Sequence, residues 1–231
     1  MGNIFSHKKS LIQGGLLVAG VSLQGVGCGE IRYRDGIQPT QQVHRIEVHG
    51  DVGVIEVVPS DVAKIDFAVR APEGAAHVQH TEFDGVLVVN TRCRTPILCS
   101  VDAEVHVPSG VQVEIELDRG EVWATGVGDI DVSVGEGEVD LETSGRTTVQ
   151  LGQGAARVVS ASSEQIRIAV GSGDIDVRVS PSSWNISLVA ASEIVRGVAH
   201  DGDAVGSMEL FAPAGTVTVR ALSPSVGVQT P

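Results

Sequence analysis

The chain has 231 residues, of which 42% are hydrophobic and 3% aromatic, and its 29 acidic against 16 basic side chains give a net charge of −13. A chain this apolar for its charge is not disordered. Nor does a chain this acidic hold nucleic acid through its bulk charge, because neutralising phosphates needs a basic surface. Its 39 valines against 12 leucines favour pleated strands over helices, and its length allows one or two domains with a real core.

Residues 1–27 differ in kind from the rest. A basic stretch (His7, Lys8, Lys9) precedes an apolar run from Leu11 to Val21, and small residues (Gly25, Val26, Gly27) lead to Cys28. That order predicts a secretory signal peptide over 1–27; the run is too short and glycine-rich for a spanning helix of roughly 20 apolar residues. Small residues directly before a cysteine resemble the lipobox of bacterial lipoproteins, with Gly25 standing where that family has leucine and the nearest leucine at Leu23. The resemblance implies that Cys28 is acylated, starts the mature chain and holds it to a membrane of the bacterial cell envelope. Ordinary cleavage and a retained anchor are the alternatives, and Met1-Gly2-Asn3-Ile4-Phe5-Ser6 also fits an N-myristoylation pattern. Losing the leader removes Lys8 and Lys9 and no acid, so the exported part is more acidic than the precursor.

Residues 28–42, with Gly36, Gln38, Pro39 and Gln41-Gln42 and no apolar periodicity, read as a tether. A folded domain is expected over 43–222, starting near Val43, with a C-terminal tail over 223–231. From Val43 the chain alternates apolar and polar residues in short runs. Ile46/Val48, Ile65/Phe67/Val69, Val86/Val88, Val101 to Val107 and Val111 to Leu117 each place alternate side chains on one face, broken by Pro59, Pro72, Gly74, Pro96, Pro108 and Gly110. No window sustains a helical period.

From Gly120 to about Val189 the pattern becomes a repeat. Gly120-Glu121-Val122-Trp123 opens it, and Gly-Asp-Ile-Asp-Val-x-Val recurs at 128–134 and 173–179. First apolar positions fall at Val122, Ile130, Val139, Val149, Val158, Ile166, Ile175 and Ile186, in steps of 8, 9, 10, 9, 8, 9 and 11. The copies at 147–151 and 156–159 lack the acidic residue of the turn, which leaves their register open. A unit this short cannot bury its own apolar face and needs stacked neighbours. Asn-Gly hairpin signals are missing between copies; Gly-Glu-Gly, Gly-Gln-Gly and Gly-Ser-Gly stand there instead, which suits open corners between parallel strands. The predicted fold is all-β: a right-handed parallel β-helix, or β-solenoid, with short strands at about nine-residue spacing. The alternative is a β-sandwich or meander. Open edges need caps, and the strands at 43–117 and the pair around Met208–Leu210 and Val217–Val219 are the candidates.

These residues resemble the bacterial "putative adhesin" β-solenoid domains, related to the head domain of putative auto-transporter adhesins. Val105-His106-Val107-Pro108-Ser109-Gly110-Val111 matches the strand motif that precedes that family's repeats, and Gly128–Val132 and Ser172–Val177 match the repeats. The resemblance spans roughly residues 43–222. It implies an envelope or surface protein with no assigned catalytic residues.

Cys93 and Cys99 form an even pair once Cys28 is assigned to the leader, and an exported protein meets an oxidising compartment, so a disulfide is expected. The rival is a metal site joining both cysteines to His77 and His80, although zinc signatures use closer cysteine spacing. His44 and His49, five apart, face opposite ways on one strand and cannot chelate together. Trp123 and Trp184 read as core or end-cap residues. Asp129, Asp131, Asp174 and Asp176 are expected on one outward face, the candidate interaction face. Paired acids also fit glycoside cleavage or calcium, although the calcium-binding nonapeptide is not present. No nucleophile elbow, phosphate loop or dinucleotide fingerprint occurs. The expectation is a non-enzymatic envelope scaffold or adhesin-like surface without a cofactor or metal. Its partner would be an unidentified envelope protein or polysaccharide and not nucleic acid; the alternative is a calcium-dependent or carbohydrate-active solenoid.

Overall fold

A computed structural model describes residues 31–72, 75–94 and 98–222. The leader, Cys28 and the C-terminal tail lie outside the described residues. The described residues form an open, all-β sheet without helices. Its strands are β1 (Ile31–Ile37), β2 (Arg45–Pro59), β3 (Lys64–Ala71), β4 (Ala76–Phe83), β5 (Val86–Cys93), β6 (Ser100–Val107), β7 (Gln112–Val127), β8 (Ile130–Thr143), β9 (Thr147–Ser160), β10 (Gln165–Val179), β11 (Ser183–Arg196), β12 (Ala199–His200) and β13 (Gly206–Ala221). They are ordered β1-β3-β6-β2-β7-β8-β9-β10-β13-β11-β12, with β5 paired to β2 and β4.

The long strands are parallel neighbours, in a 17-residue register from β7 to β9, where Val113 pairs with Ile130 and Ile130 with Thr147, and a 19-residue one from β9 to β10, where Thr147 pairs with Ile166. Sixteen extended residues would span about 50 Å, yet the Val113 amide donates to Asp129 O at 3.1 Å and the Ile130 amide to Arg146 O at 2.9 Å. The end of each long strand thus meets its own start, so each strand folds back into two arms. The eight- and nine-residue steps of the sequence are half-periods that alternate between arms. Strands adjacent in the sheet are copies two steps apart.

Glycine makes the fold-back. Gly53, Gly120, Gly137 and Gly154 are followed in register by Gly173. A Cβ on Gly120 would lie 1.9 Å from Gly53 O, and one on Gly137, Gly154 or Gly173 would lie 1.7 Å from the carbonyl oxygen of the glycine before it. Gly120, Gly137, Gly154 and Gly173 also have φ between 137° and 157°, where side chains are disfavoured. The Gly-x-Gly triplets of the sequence are these corners.

Inside the arms, alternate residues are buried as the two-residue period requires. Ile46, Val113, Ile130, Thr147, Ile166 and Met208 form one ladder; Ile55, Val122, Val139, Ala156, Ile175 and Val217 form the facing one. The two copies without an acidic turn are therefore aligned two residues earlier than their first valines indicate. Thr147, not Val149, stands opposite Ile130, fully buried, with its hydroxyl 2.8 Å from that of Thr143.

The ends depart from expectation in three ways. Ile31–Ile37 lies within the stretch read as a tether, but it is a strand paired antiparallel with β3, so the ordered body begins before Val43. On that side the caps are β1, β3 and β4, whereas β2 belongs to the stack. At the other end β13 is not a cap: it is inserted between β10 and β11. β13 carries a corner glycine, Gly215, whose Cβ would lie 1.6 Å from Gly173 O. β11 crosses the corner between Ala190 and Glu193 with only Ala191 and Ser192, where β13 uses residues 213–216 between Ala212 and Val217. Lacking that glycine, β11 cannot sit on Gly173 and takes the outer place.

Gly137→Ala should lower unfolding stability by about 3 kcal/mol or more, from combined backbone strain and overpacking. Gly128→Ala, where a Cβ meets nothing within 4 Å, should stay within about 0.5 kcal/mol of the parent. Urea unfolding of the two variants checks this, and equal effects would contradict the corner assignment.

Candidate interaction faces

Outward residues of the first arm, before each corner, form rows across the sheet. One row runs Glu47, Glu114, Asp131, Thr148, Arg167, Glu209. Like charges directly opposite oppose pairing, and Arg45 offsets this at the acidic end. Its guanidinium contacts the Glu114 carboxylate and lies 2.8 Å from Glu47 Oε1. His49 adds Nδ1 at 3.1 Å from Glu116 Oε2. Burial pushes the Asp131 carboxyl above its usual range, and the Glu114 charge adds to the effect.

On the second arm, Trp123, Asp140, Arg157 and Asp176 follow one another. Arg157 Nη1 lies 3.7 Å from Asp140 Oδ2, and burial raises the Asp140 carboxyl despite this cation. Trp123 is on the outside, 38% exposed, with its indole N–H donating to Glu121 at 3.2 Å. Trp184, by contrast, is buried.

The four aspartates of the expected face are not brought together. Ile130 lies in the first-arm ladder and Ile175 in the second, so the two identical Gly-Asp-Ile-Asp-Val segments occupy different arms. Asp131 faces outward from one arm and Asp176 from the other. Asp129 and Asp174 are turn-holders: their Oδ1 atoms accept the amides of Arg146 and Thr216, each at 2.8 Å. A carboxylate in each place satisfies an amide that the bending backbone leaves unpaired. Identical local sequence concealed the split, because the period of two arms is visible only once the register is known.

Cys93 and Cys99 are joined by a disulfide, with their Cα atoms 5.7 Å apart. β5 pairs with the first arm of β2 and β6 with its second, so the bridge ties the two arms of a layer that has no glycine corner. The Cys93 amide donates to Asp51 Oδ2 at 2.7 Å. Bonded sulfurs cannot act as zinc thiolates, and His77 and His80 lie exposed on β4. Among the described residues, no group of three or more His, Cys, Asp or Glu side chains converges to hold a metal. Sequence reading also missed Glu82, whose carboxylate accepts the amides of Thr40 and Gln41 at 2.9 and 2.8 Å. The Thr40 amide is the first cause of its lowered pKa. A hollow of about 410 Å³ beside Pro59, Pro108 and Gly126 has Asp61 as its titratable side chain.

No protein-family model and no curated protein matches the chain. Solved structures do. A cell adhesion protein from Clostridium sporogenes, described as putative, is 12% identical with a TM-score of 0.48, covering 84% of this chain and all of that one. A "putative adhesin" from Bacteroides fragilis is 16% identical with a TM-score of 0.31, over 86% of this chain and all of its own. One from Parabacteroides merdae is 14% identical with a TM-score of 0.36, over 83% of this chain and 96% of its own. Two of these neighbours are thus described as adhesins and one as a cell adhesion protein.

Asp129→Ala should cost about 1 kcal/mol through the lost bond to the Arg146 amide. Asp131→Asn should instead stabilise the fold at pH 7, by under about 0.5 kcal/mol because the side chain is only partly buried and solvent screens its charge. A raised folded pKa means that Asp131 favours folding below the carboxylate range and opposes it above. The gain should therefore vanish as pH falls through that range, which urea midpoints at pH 7 and pH 3 would check.

Proposed function

We propose that the chain is a non-enzymatic β-solenoid, a right-handed parallel β-helix, anchored in the bacterial cell envelope through Cys28 and presenting its outer faces as an adhesin-like interaction surface. The observation that carries this reading is the 17-residue register of doubled-back strands. It lines up outward side chains in long rows while the interior is filled by apolar ladders. Such a stack offers extended faces that vary freely, since its shape depends on nearest-neighbour packing. The outward acids support binding more than chemistry: Asp129 and Asp174 hold turns, and Asp140 and Asp176 lie beside arginines. The leader, with small residues before Cys28, supports export and anchoring.

The test uses cells making the full chain or Cys28→Ala. The parent should sediment with membranes and the variant should be released to the soluble fraction. Equal membrane association of both would remove the anchor. In parallel, purified protein incubated with envelope polysaccharide should release no new reducing ends; release that Asp131→Asn or Asp176→Asn abolishes would establish the enzymatic alternative instead.

A further inference from the structure

Among the described residues, most lysines and arginines sit against carboxylates. Arg119 pairs with Glu136, Arg146 with Asp129, Arg157 with Asp140 and Arg167 with Glu209. One row is different. On the second arm Arg178 of β10 stands opposite Arg220 of β13, and Arg220 stands opposite Arg196 of β11. Three guanidinium-bearing side chains thus follow one another at the strand spacing of about 4.8 Å. Arg220 and Arg196 are exposed and have no hydrogen-bond or ion-pair partner among the described residues. Arg178 reaches Asp176 Oδ2 through Nη2 at 3.3 Å, yet its Nε is buried without a hydrogen-bond partner. Like charges directly opposite on adjacent strands work against pairing, so this row is unfavourable until an anion neutralises it.

We propose that the Arg178–Arg220–Arg196 row binds an acidic glycan, a polymer carrying a carboxylate on successive sugars. The planar guanidinium fork takes a carboxylate through two parallel hydrogen bonds, and the row offers such forks at a repeat comparable to one sugar. The row ends at β11, the outer long strand, so a linear chain can lie across three strands and leave over the end of the sheet. A flat anionic membrane fits less well. The same arm continues into Glu121, Glu138, Asp140 and Glu142 on β7 and β8, which a plane would also have to approach. Ile194, part-exposed on β11 two residues before Arg196, flanks the row and gives the sugar an apolar contact. This assignment names a ligand for the interaction surface proposed above and rests on that reading.

The test is calorimetric titration of the purified protein with an oligogalacturonate, with neutral dextran, inorganic phosphate and phosphatidylglycerol vesicles as comparison probes. The parent should bind the oligogalacturonate, more weakly as salt is raised, and should not bind dextran. Arg196→Glu with Arg220→Glu should weaken binding at least about tenfold, and Arg196→Ala with Arg220→Ala should do so to a lesser degree. Arg119→Glu with Arg167→Glu, which changes net charge equally on other rows, should leave affinity within about twofold. Circular dichroism establishes that each variant is folded. Absence of oligogalacturonate binding by the parent, equal losses in both charge-reversed variants, or tighter binding of phosphate or vesicles would each overturn the proposal. The fractionation of Cys28→Ala is independent of all three, so failure of the glycan assignment and failure of the anchored-surface reading are told apart.

Discussion

Everything in this molecule depends on the contact between a corner glycine and the carbonyl of the glycine beneath it. At 1.6–1.9 Å from that oxygen no Cβ can exist, so a layer can set its bend directly over the glycine carbonyl of the last only where its own chain has glycine; β11, which has none there, pairs with β13 through a corner two residues shorter. That requirement fixes where a strand of about 15 residues folds back, and through it which side chains turn inward. It also selects the order of strands at the far end, where β13 with Gly215 displaces its predecessor β11 from the place beside β10. The first layer meets the same geometric need differently, with separate strands β5 and β6 tied by Cys93 and Cys99.

The apolar ladders then make the stack stable. Ile, Val and Leu at alternate positions are buried on both arms, and the branched side chains suit a pleated surface. Burying a Val or Ile is worth about 1.5–3 kcal/mol each, which explains why so few aromatics are needed. The outer faces follow from the same alternation. Acids gather toward the β2–β8 side, and a row of three arginines, two of them without an ion-pair partner among the described residues, lies on β10, β13 and β11. The strongly negative net charge therefore hides a local cationic row that composition alone does not disclose.

Strand content, the glycine-acid turns and the inward positions Ile130 and Ile175 are legible in the sequence because period-two alternation survives any later packing. The double-arm period is not, because both arms use the same grammar: Gly-Asp-Ile-Asp-Val begins a first arm at 128 and a second arm at 173. Thr147 hides a ladder position behind a hydroxyl whose partner, Thr143, is visible only in three dimensions. The insertion of β13 is signalled by the missing corner glycine of β11, a cue that has meaning only after the other corners have been aligned. Ile31–Ile37 offers only a short alternation, Ile31 and Tyr33 against Arg32 and Arg34, broken by Asp35-Gly36, and its place as a strand is set by the antiparallel edge of β3.

The central claim is that one structural layer is a whole doubled-back strand, 17 residues from β7 to β9, and that its corner glycine governs stacking. Its most direct test is excision. Removing residues 130–146 joins Asp129 to Thr147 and leaves every remaining corner in register, so the shortened protein should unfold cooperatively in urea with an all-β circular dichroism spectrum. Removing residues 130–138 deletes half a layer, takes out Gly137 and exchanges the two arms, so that protein should not fold. If the nine-residue deletion folds as well as the 17-residue one, the single-strand repeat is the true unit and the layered account is wrong.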